Sequence, residues 1–313
     1  MSSQDPYWQE ESFKDFITKQ LLTVSPVDLS SARELFYPKR GLLIQPLMLA
    51  YAAESRGDIE RLFAKSYLLD YCKDSPEQLF ELLTLSPPEH FQDVYALLER
   101  FKDQAIQLGR SQLITQLEES ESDNMVIRRQ ANIGLLLMKM GDHDSVWPIF
   151  EASPNPSVRT HLIHWLAKQK VSPAELFKQY QSDSRPDVRY SLLLALGEYD
   201  KSQLPLDTRQ TYTEILLQDY IQDRDSGVHG AIDWLLRQWG EDQELEALEQ
   251  KLAGEPSSGR NWYVNGQGQS FAIITGGTFQ KGPADWEEFF GAYPTYKIDV
   301  NRIFAIATKE VDR

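Results

Sequence analysis

Residues 156–167, PSVRTHLIHWLA, align with PDVRYSLLLALG at 186–197 and SGVHGAIDWLLR at 226–237, and an earlier copy, MVIRRQANIGLL, stands at 125–136. Each copy carries a key apolar residue followed by small or apolar residues at i+4, i+7 and i+8, the spacing that lines one face of an α-helix. The sets are Ile127/Ala131/Gly134/Leu135, Val158/Leu162/Trp165/Leu166, Val188/Leu192/Ala195/Leu196 and Val228/Ile232/Leu235/Leu236. Successive key residues are 31, 30 and 40 positions apart (127 to 158, 158 to 188, 188 to 228), which leaves room for a pair of short helices per unit. Second amphipathic stretches, PAELFKQYQ (173–181) and TRQTYTEILLQDYIQD (208–223), fill the intervals, and Pro, Asn, Asp and Gly gather at the turns. Such units cannot bury their apolar faces alone, so they stack and each completes the core of the last. The expected fold is mainly α, a solenoid of stacked helix pairs.

The spacing and the P-x-V-R helix opening resemble HEAT-like repeats of the short kind over about residues 120–240. Upstream, DIERLFAKSYLLDYCKDSPEQLFELL (58–83) repeats the theme, with Ile59, Phe63 and Tyr67 expected on one side of a helix, and stretches at 12–22 and 90–118 read as further helices. The expected organisation is an N-terminal helical segment at 1–29, the solenoid at 30–240, an acidic helix and linker at 241–260, and a β-rich segment at 261–313.

Bulk composition narrows the function. Apolar residues make up 41% and charged residues 25% of 313 positions, enough to bury a core. With 32 Lys and Arg against 47 Asp and Glu, the net charge is −15, so nucleic acid or an anionic membrane would meet repulsion over most of the surface. Cys72 is the only cysteine, which excludes an internal disulfide, a cysteine-rich zinc site and a two-cysteine redox or copper centre within the chain. The N-terminal MSSQDPYWQEESFKDF has no signal-peptide core and no apolar run approaches ~18 residues, so a cytoplasmic protein is expected.

From Asn261 the text changes to short strands and turns: WYVNGQGQSFAII, TGGTFQKG and YKIDVNRIFAIATKEV. Tyr296/Ile298/Val300 and Phe304/Ile306 alternate with period two. The runs GGTFQKG (276–282) and FAIATKEV (304–311) resemble the start of the formylglycine-generating enzyme, or sulfatase-modifying factor, family. That domain opens on a strand ending in a G-G-x-F-x-M-G turn and later presents an F-x-I-x-x-x-E-V-T strand. Lys281 stands where methionine is usual and Asp312 where threonine is usual. The resemblance assigns structural roles to Gly266, Gly268, Gly276, Gly277, Phe279, Gly282, Phe304, Glu310 and Val311. It implies copper held by paired cysteines in oxidase members and histidine-bound iron in relatives, in later parts of the domain. No catalytic, metal or cofactor-binding residue is therefore carried onto this chain, and copper or iron is expected only if that portion is supplied. HEAT-like repeats running into W-Y-V-N-G-Q-G-Q resemble a bacterial multidomain arrangement, sometimes preceded by a kinase domain. Kinase motifs are absent here. The last fifty residues, as a fragment of a β domain, are expected to be weakly held and open to protease.

Several motifs invite a sharper reading. NGQGQS (265–270) looks like a phosphate loop, but Phe271 takes the place of the third glycine and a strand follows where that mechanism needs a helix, so a turn is expected. His161 and His164 are three apart on a helix, yet no third metal ligand is evident, and His90 and His143 are isolated. Arg128, Arg159 and Arg189, with His229 in the fourth copy, follow the key residue of each repeat and are the candidate partner-binding row. The competing structural account pairs them with turn acids such as Asp123, Asp183 and Asp187. Trp147, Trp165, Trp234 and Trp239 are expected mostly in packing, with Trp239 covering the step into the acidic helix. Cys72 is expected to be partly buried and inert. The combined reading is a scaffold that binds a protein, attached to the beginning of a sulfatase-modifying-factor-like segment. Partners in view are an unidentified protein, the remainder of the C-terminal domain, or a kinase-containing protein. The alternative is a subunit or fragment of a metal-dependent formylglycine-generating or related non-haem iron enzyme.

Overall fold

The computed structural model describes residues 6–118, 121, 123–200, 202–254, 256–281 and 296–309. The protein is mainly helical, with a small antiparallel β segment in its C-terminal part. The chain divides into two compact units, Met1–Val171 and Ser172–Arg313. That division falls inside the 30–240 segment read as one array, not at the change of sequence texture near 240–260.

The first unit holds α1 (Glu11–Leu22), α2 (Leu29–Phe36), α3 (Arg40–Ala52), α4 (Asp58–Tyr71), α5 (Pro76–Leu85), α6 (Pro88–Leu98), α7 (Lys102–Gln112), α8 (Asn124–Met140) and α9 (Ser157–Leu166). Prolines at the first position open α5 and α6, where the missing N–H has no partner to lose. α5 adds a Ser75 cap that accepts from Gln78 N, and Asp123 caps α8 by accepting from Met125 N at 2.7 Å. The central helix is α8, packed by α5, α7 and α9. Its Asn132, fully buried, donates to the carbonyls of Leu83, Thr84 and Ser86, closing the C-terminal end of α5. Helix ends leave carbonyls without intrahelical partners, and here a neighbouring helix supplies the donor.

The second unit holds α10 (Pro173–Ser182), α11 (Pro186–Gly197), α12 (Leu206–Gln222), α13 (Ser226–Trp239) and α14 (Asp242–Leu252), then β1 (Trp262–Val264), β2 (Ser270–Ile274), β3 (Gly277–Lys281), β4 (Tyr296–Val300) and β5 (Phe304–Ala307). Asp225 caps α13 by accepting from Gly227 N and Val228 N, both at 2.9 Å. The helix stops at Gly240, whose φ of 88° is the left-handed conformation a side chain resists. Strands β1, β2 and β5 form one antiparallel sheet in that order, and β3 and β4 form a separate ribbon. In the sheet Trp262 faces Ala272 and Ile306 also faces Ala272, so the three strands run in register across β2.

The repeat pattern matches burial closely. Every residue of the four sets is buried except Trp165, which is half-buried. Two expectations differ. Ile59, expected beside Phe63 and Tyr67, is 69% exposed, because the buried face of α4 begins one turn later, at Phe63, Ala64, Tyr67 and Leu68. Ile306, read with Phe304 as one period-two set, is 53% exposed on the outer strand, while α13 packs on β2. The expected weak hold on the last fifty residues does not describe β1, where Trp262 and Val264 are buried against the helices. Gly282, Glu310, Val311 and Asp312 lie outside the described residues.

Candidate functional site

Two places combine unusual side-chain chemistry with shape, one in each unit. In the first unit, α2, α4 and α6 enclose an open cleft of about 820 Å3. Its apolar lining comes from Leu62 and Leu69 of α4, Leu29 of α2 and Leu97 of α6. Leu62 is 47% exposed, a large apolar side chain left facing water. The charged rim is paired: Lys65 to Asp93 at 2.7 Å, and Lys73 and Arg33 both to Asp70, at 3.0 and 3.8 Å. Beyond Lys73 stands Tyr37, with the Lys73 ammonium 5.3 Å and the Arg40 guanidinium 4.2 Å from its ring centroid. This concentration of cations at one end of α4 is unlike the chain at large, which carries −15.

In the second unit the chain after α14 closes the end of α12. His229 donates from Nδ1 to Tyr220 O at 3.0 Å, Arg260 to Ile221 O at 2.6 Å, Trp262 from Nε1 to Asp223 O at 2.9 Å, and Asn261 N to Arg224 O at 2.8 Å. With its Nδ1 proton facing a carbonyl, His229 offers Nε2 as acceptor to Ser270 Oγ at 3.2 Å. The imidazole lies between two rings, 3.6 Å from Trp262 and 4.1 Å from Tyr220, with interplanar angles of 13° and 19°. Arg260 adds a guanidinium 4.7 Å from the Trp262 ring. Burial pushes the His229 imidazole down to about 4, outweighing its hydrogen bond to Tyr220, so the ring is neutral at physiological pH.

One turn along α13, Asp233 is paired on both oxygens, to Arg237 Nε at 3.1 Å and to Lys309 Nζ at 2.5 Å. Arg237 also reaches Glu249 at 2.8 Å and Asp242 at 3.2 Å. Burial raises the Glu249 carboxyl, against the pull of Arg237. A cleft of about 510 Å3 opens beside this network between Trp234, Gly230 and Thr308. The charges there are already satisfied by one another, so the arrangement ties α13, α14 and the chain after β5 together.

The candidate basic row is distributed differently from its sequence spacing. Arg128 pairs with Glu54 at 2.6 Å, and Arg159 donates to Glu151 O at 2.9 Å. Arg189 binds Asp223 and, at 3.4 Å, Asp219, donates to the Tyr180 hydroxyl at 3.0 Å, and lies 4.7 Å from the Tyr180 ring. His229 is fully buried and presents nothing to solvent. The acids that Arg128 and Arg189 reach, Glu54, Asp219 and Asp223, lie in other segments of the chain, which periodicity does not reveal. Asp123 and Asp187 bond to helix N-termini, and Asp183 pairs with Arg185 at 2.6 Å.

Gly266 and Gly268 sit in the β1–β2 turn, where Asn265 Oδ1 accepts from Gln267 N and Gln269 N, both at 2.9 Å. NGQGQS is thus a hairpin connection. Gly276 and Gly277 lead into β3, Phe279 is 48% exposed on that strand, and Phe304 opens β5. His161 is held by Ser157 O at 2.8 Å and by Trp165 edge-on. Trp147 and Trp239 are buried, whereas Trp234 is 37% exposed. Cys72 is fully buried, and burial pushes its thiol up to about 12. Among the described residues no three His, Cys, Asp or Glu side chains converge as a metal site, and no helix is long and apolar enough to cross a membrane. The sequence signal for the α2–α4–α6 cleft is Leu62, an apolar residue outside the buried set Phe63, Ala64, Tyr67 and Leu68 of α4. The chain matches no family model, no curated protein and no solved structure.

Proposed function

We propose that the protein is a protein-binding scaffold of stacked, HEAT-like helix pairs, carrying a C-terminal β segment similar to the start of a sulfatase-modifying-factor domain, with no catalytic role assigned to that segment. The observation that carries this reading is the cleft of about 820 Å3 walled by three helices, with leucines in its lining and paired charges on its rim. Apolar centre and polar rim are the anatomy of protein interfaces. Helix pairs suit the task because each helix is held by its neighbours, so an outer face is presented without being needed for the core. The network around Arg237 supports a structural role for the β segment, because its buried acids and cations are matched to one another. Cross-linking of the full chain to its cellular partner tests the reading. Cross-links should concentrate on Lys65 and Lys73 rather than on Lys168 and Lys178. Conversion of a cysteine peptide to formylglycine by copper- or iron-loaded protein would replace the scaffold reading with the enzyme alternative.

A further inference from the structure

The charge around the α2–α4–α6 cleft is uneven along α4. At the cleft's end nearest the C-terminus of α4, Arg33 and Lys73 share the single carboxylate of Asp70, at 3.8 and 3.0 Å. Two lining cations meet one lining carboxylate there, in a chain whose net charge is −15. Farther along α4 the lining includes Leu62, 47% exposed, beside the Lys65–Asp93 pair. Leu62 and Leu69 are two helical turns apart, roughly 10 Å along the axis, which matches the i to i+7 span of the anchors on a helix bound in a groove.

We propose that this cleft takes an acidic amphipathic helix of a partner protein, its leucine-type side chains seated on Leu62, Leu69 and Leu97 and its carboxylates turned toward Arg33 and Lys73. The inference rests on the scaffold reading and names the partner's chemistry. A simple polyanion fits less well, because an apolar floor gives phosphate nothing. The chain's net charge of −15 opposes an acidic partner over the surface as a whole, so docking where Arg33 and Lys73 share one carboxylate is also oriented.

The test uses the full chain and a fluorescein-labelled helical peptide of about five turns, with Leu at i, i+3 and i+7 spacing and Glu between. Anisotropy is compared with the same peptide carrying Lys for Glu, and with one carrying Ser for Leu. The Glu peptide should bind and the other two should not. Leu62→Asp, at a half-exposed position that folding tolerates, should weaken binding by at least about tenfold. The double variant Arg33→Glu, Lys73→Glu should lose the Glu peptide and gain the Lys peptide. Equal binding of the Ser peptide, which marks mere charge attraction, overturns the proposal, as does an unchanged affinity in the Leu62→Asp variant. Cellular cross-links that map to α8 or α9 with no peptide bound would overturn it too, and would leave the scaffold reading standing.

Discussion

Replacing Trp262 by Ala should destabilise the helices of the second unit as well as the strand that bears it. Its indole is 1% exposed, lies 3.6 Å from His229 and donates to Asp223 O at 2.9 Å. A buried Trp removes about 150–250 Å2 from water, worth roughly 4–6 kcal/mol at ~25 cal/mol per Å2 as an upper bound, and measured Trp and Phe truncations fall near 3–5 kcal/mol. Orphaning the Asp223 carbonyl adds about 1 kcal/mol, although water entering the vacated space recovers part of it. The expected loss is about 4 kcal/mol, close to three orders of magnitude in local opening. Native-state hydrogen exchange reads this directly, because amides in the last turn of α12 and along α13 should accelerate together with those of β1 and β2, while amides of α8 in the other unit serve as reference. Trp262→Phe keeps a stacked ring, loses the N–H donor, and should cost about 1–2 kcal/mol. Acceleration confined to β1 and β2, with α13 unchanged, would refute the reasoning: the sheet would then be an appendage resting on the helices.

His229 makes stability pH-dependent. Its folded pKa, near 4 against 6.5 for an exposed ring, means the unfolded chain binds the extra proton between those values. The contribution is therefore whole above pH 6.5 and is lost as pH falls toward 4, by up to about 3 kcal/mol at 1.4 kcal/mol per pKa unit. Urea midpoints for His229→Gln should lack that slope. Gly197→Ala places a methyl group against the Trp234 ring, and overpacking of this kind costs about 1–3 kcal/mol. A red-shifted, quenchable tryptophan signal should accompany the loss, and adding Trp234→Ala should restore stability. Arg189→Met strands Asp223, whose side chain is 9% exposed; since Arg189 keeps some solvent contact, roughly 2 kcal/mol is expected rather than the full ~3–5 of a sealed pair, measured by thermal unfolding of α10–α12.

The repeat helices were readable because a 3.6-residue period and a buried face are the same fact seen twice. Ile127, Val158, Val188 and Val228 could be aligned by eye and each is buried. Ile59 departs for the converse reason: apolar character counts toward a helical period whether the side chain faces the core or solvent. The strands from Trp262 onward were legible as strands, but their attachment was not. It depends on four donors meeting the end of α12, and one of them, Arg260, lies in a segment that composition marks as linker. Ion pairs such as Arg128 with Glu54 or Lys309 with Asp233 span 74 and 76 positions (128 − 54 and 309 − 233). No periodicity encodes a pairing at that distance.

His229 occupies the position that holds arginine in the other three copies, and the substitution has a physical reason. Arg128 and Arg189 keep side-chain exposures of 24% and 17% and reach carboxylates, while Arg159 reaches a carbonyl. At the fourth position Trp262 covers the site, and a guanidinium cannot shed its proton to escape desolvation. Imidazole can: as a neutral ring it donates once to Tyr220 O, accepts once from Ser270 and stacks on Trp262, satisfying both nitrogens without a buried charge. Restoring the repeat residue with His229→Arg should therefore expel the sheet, not strengthen the array. Limited proteolysis should then cut after Arg260 while α10–α12 persist. If the variant instead protects β1 and β2 as well as the parent does, the junction is held by the strands themselves and the stack is incidental.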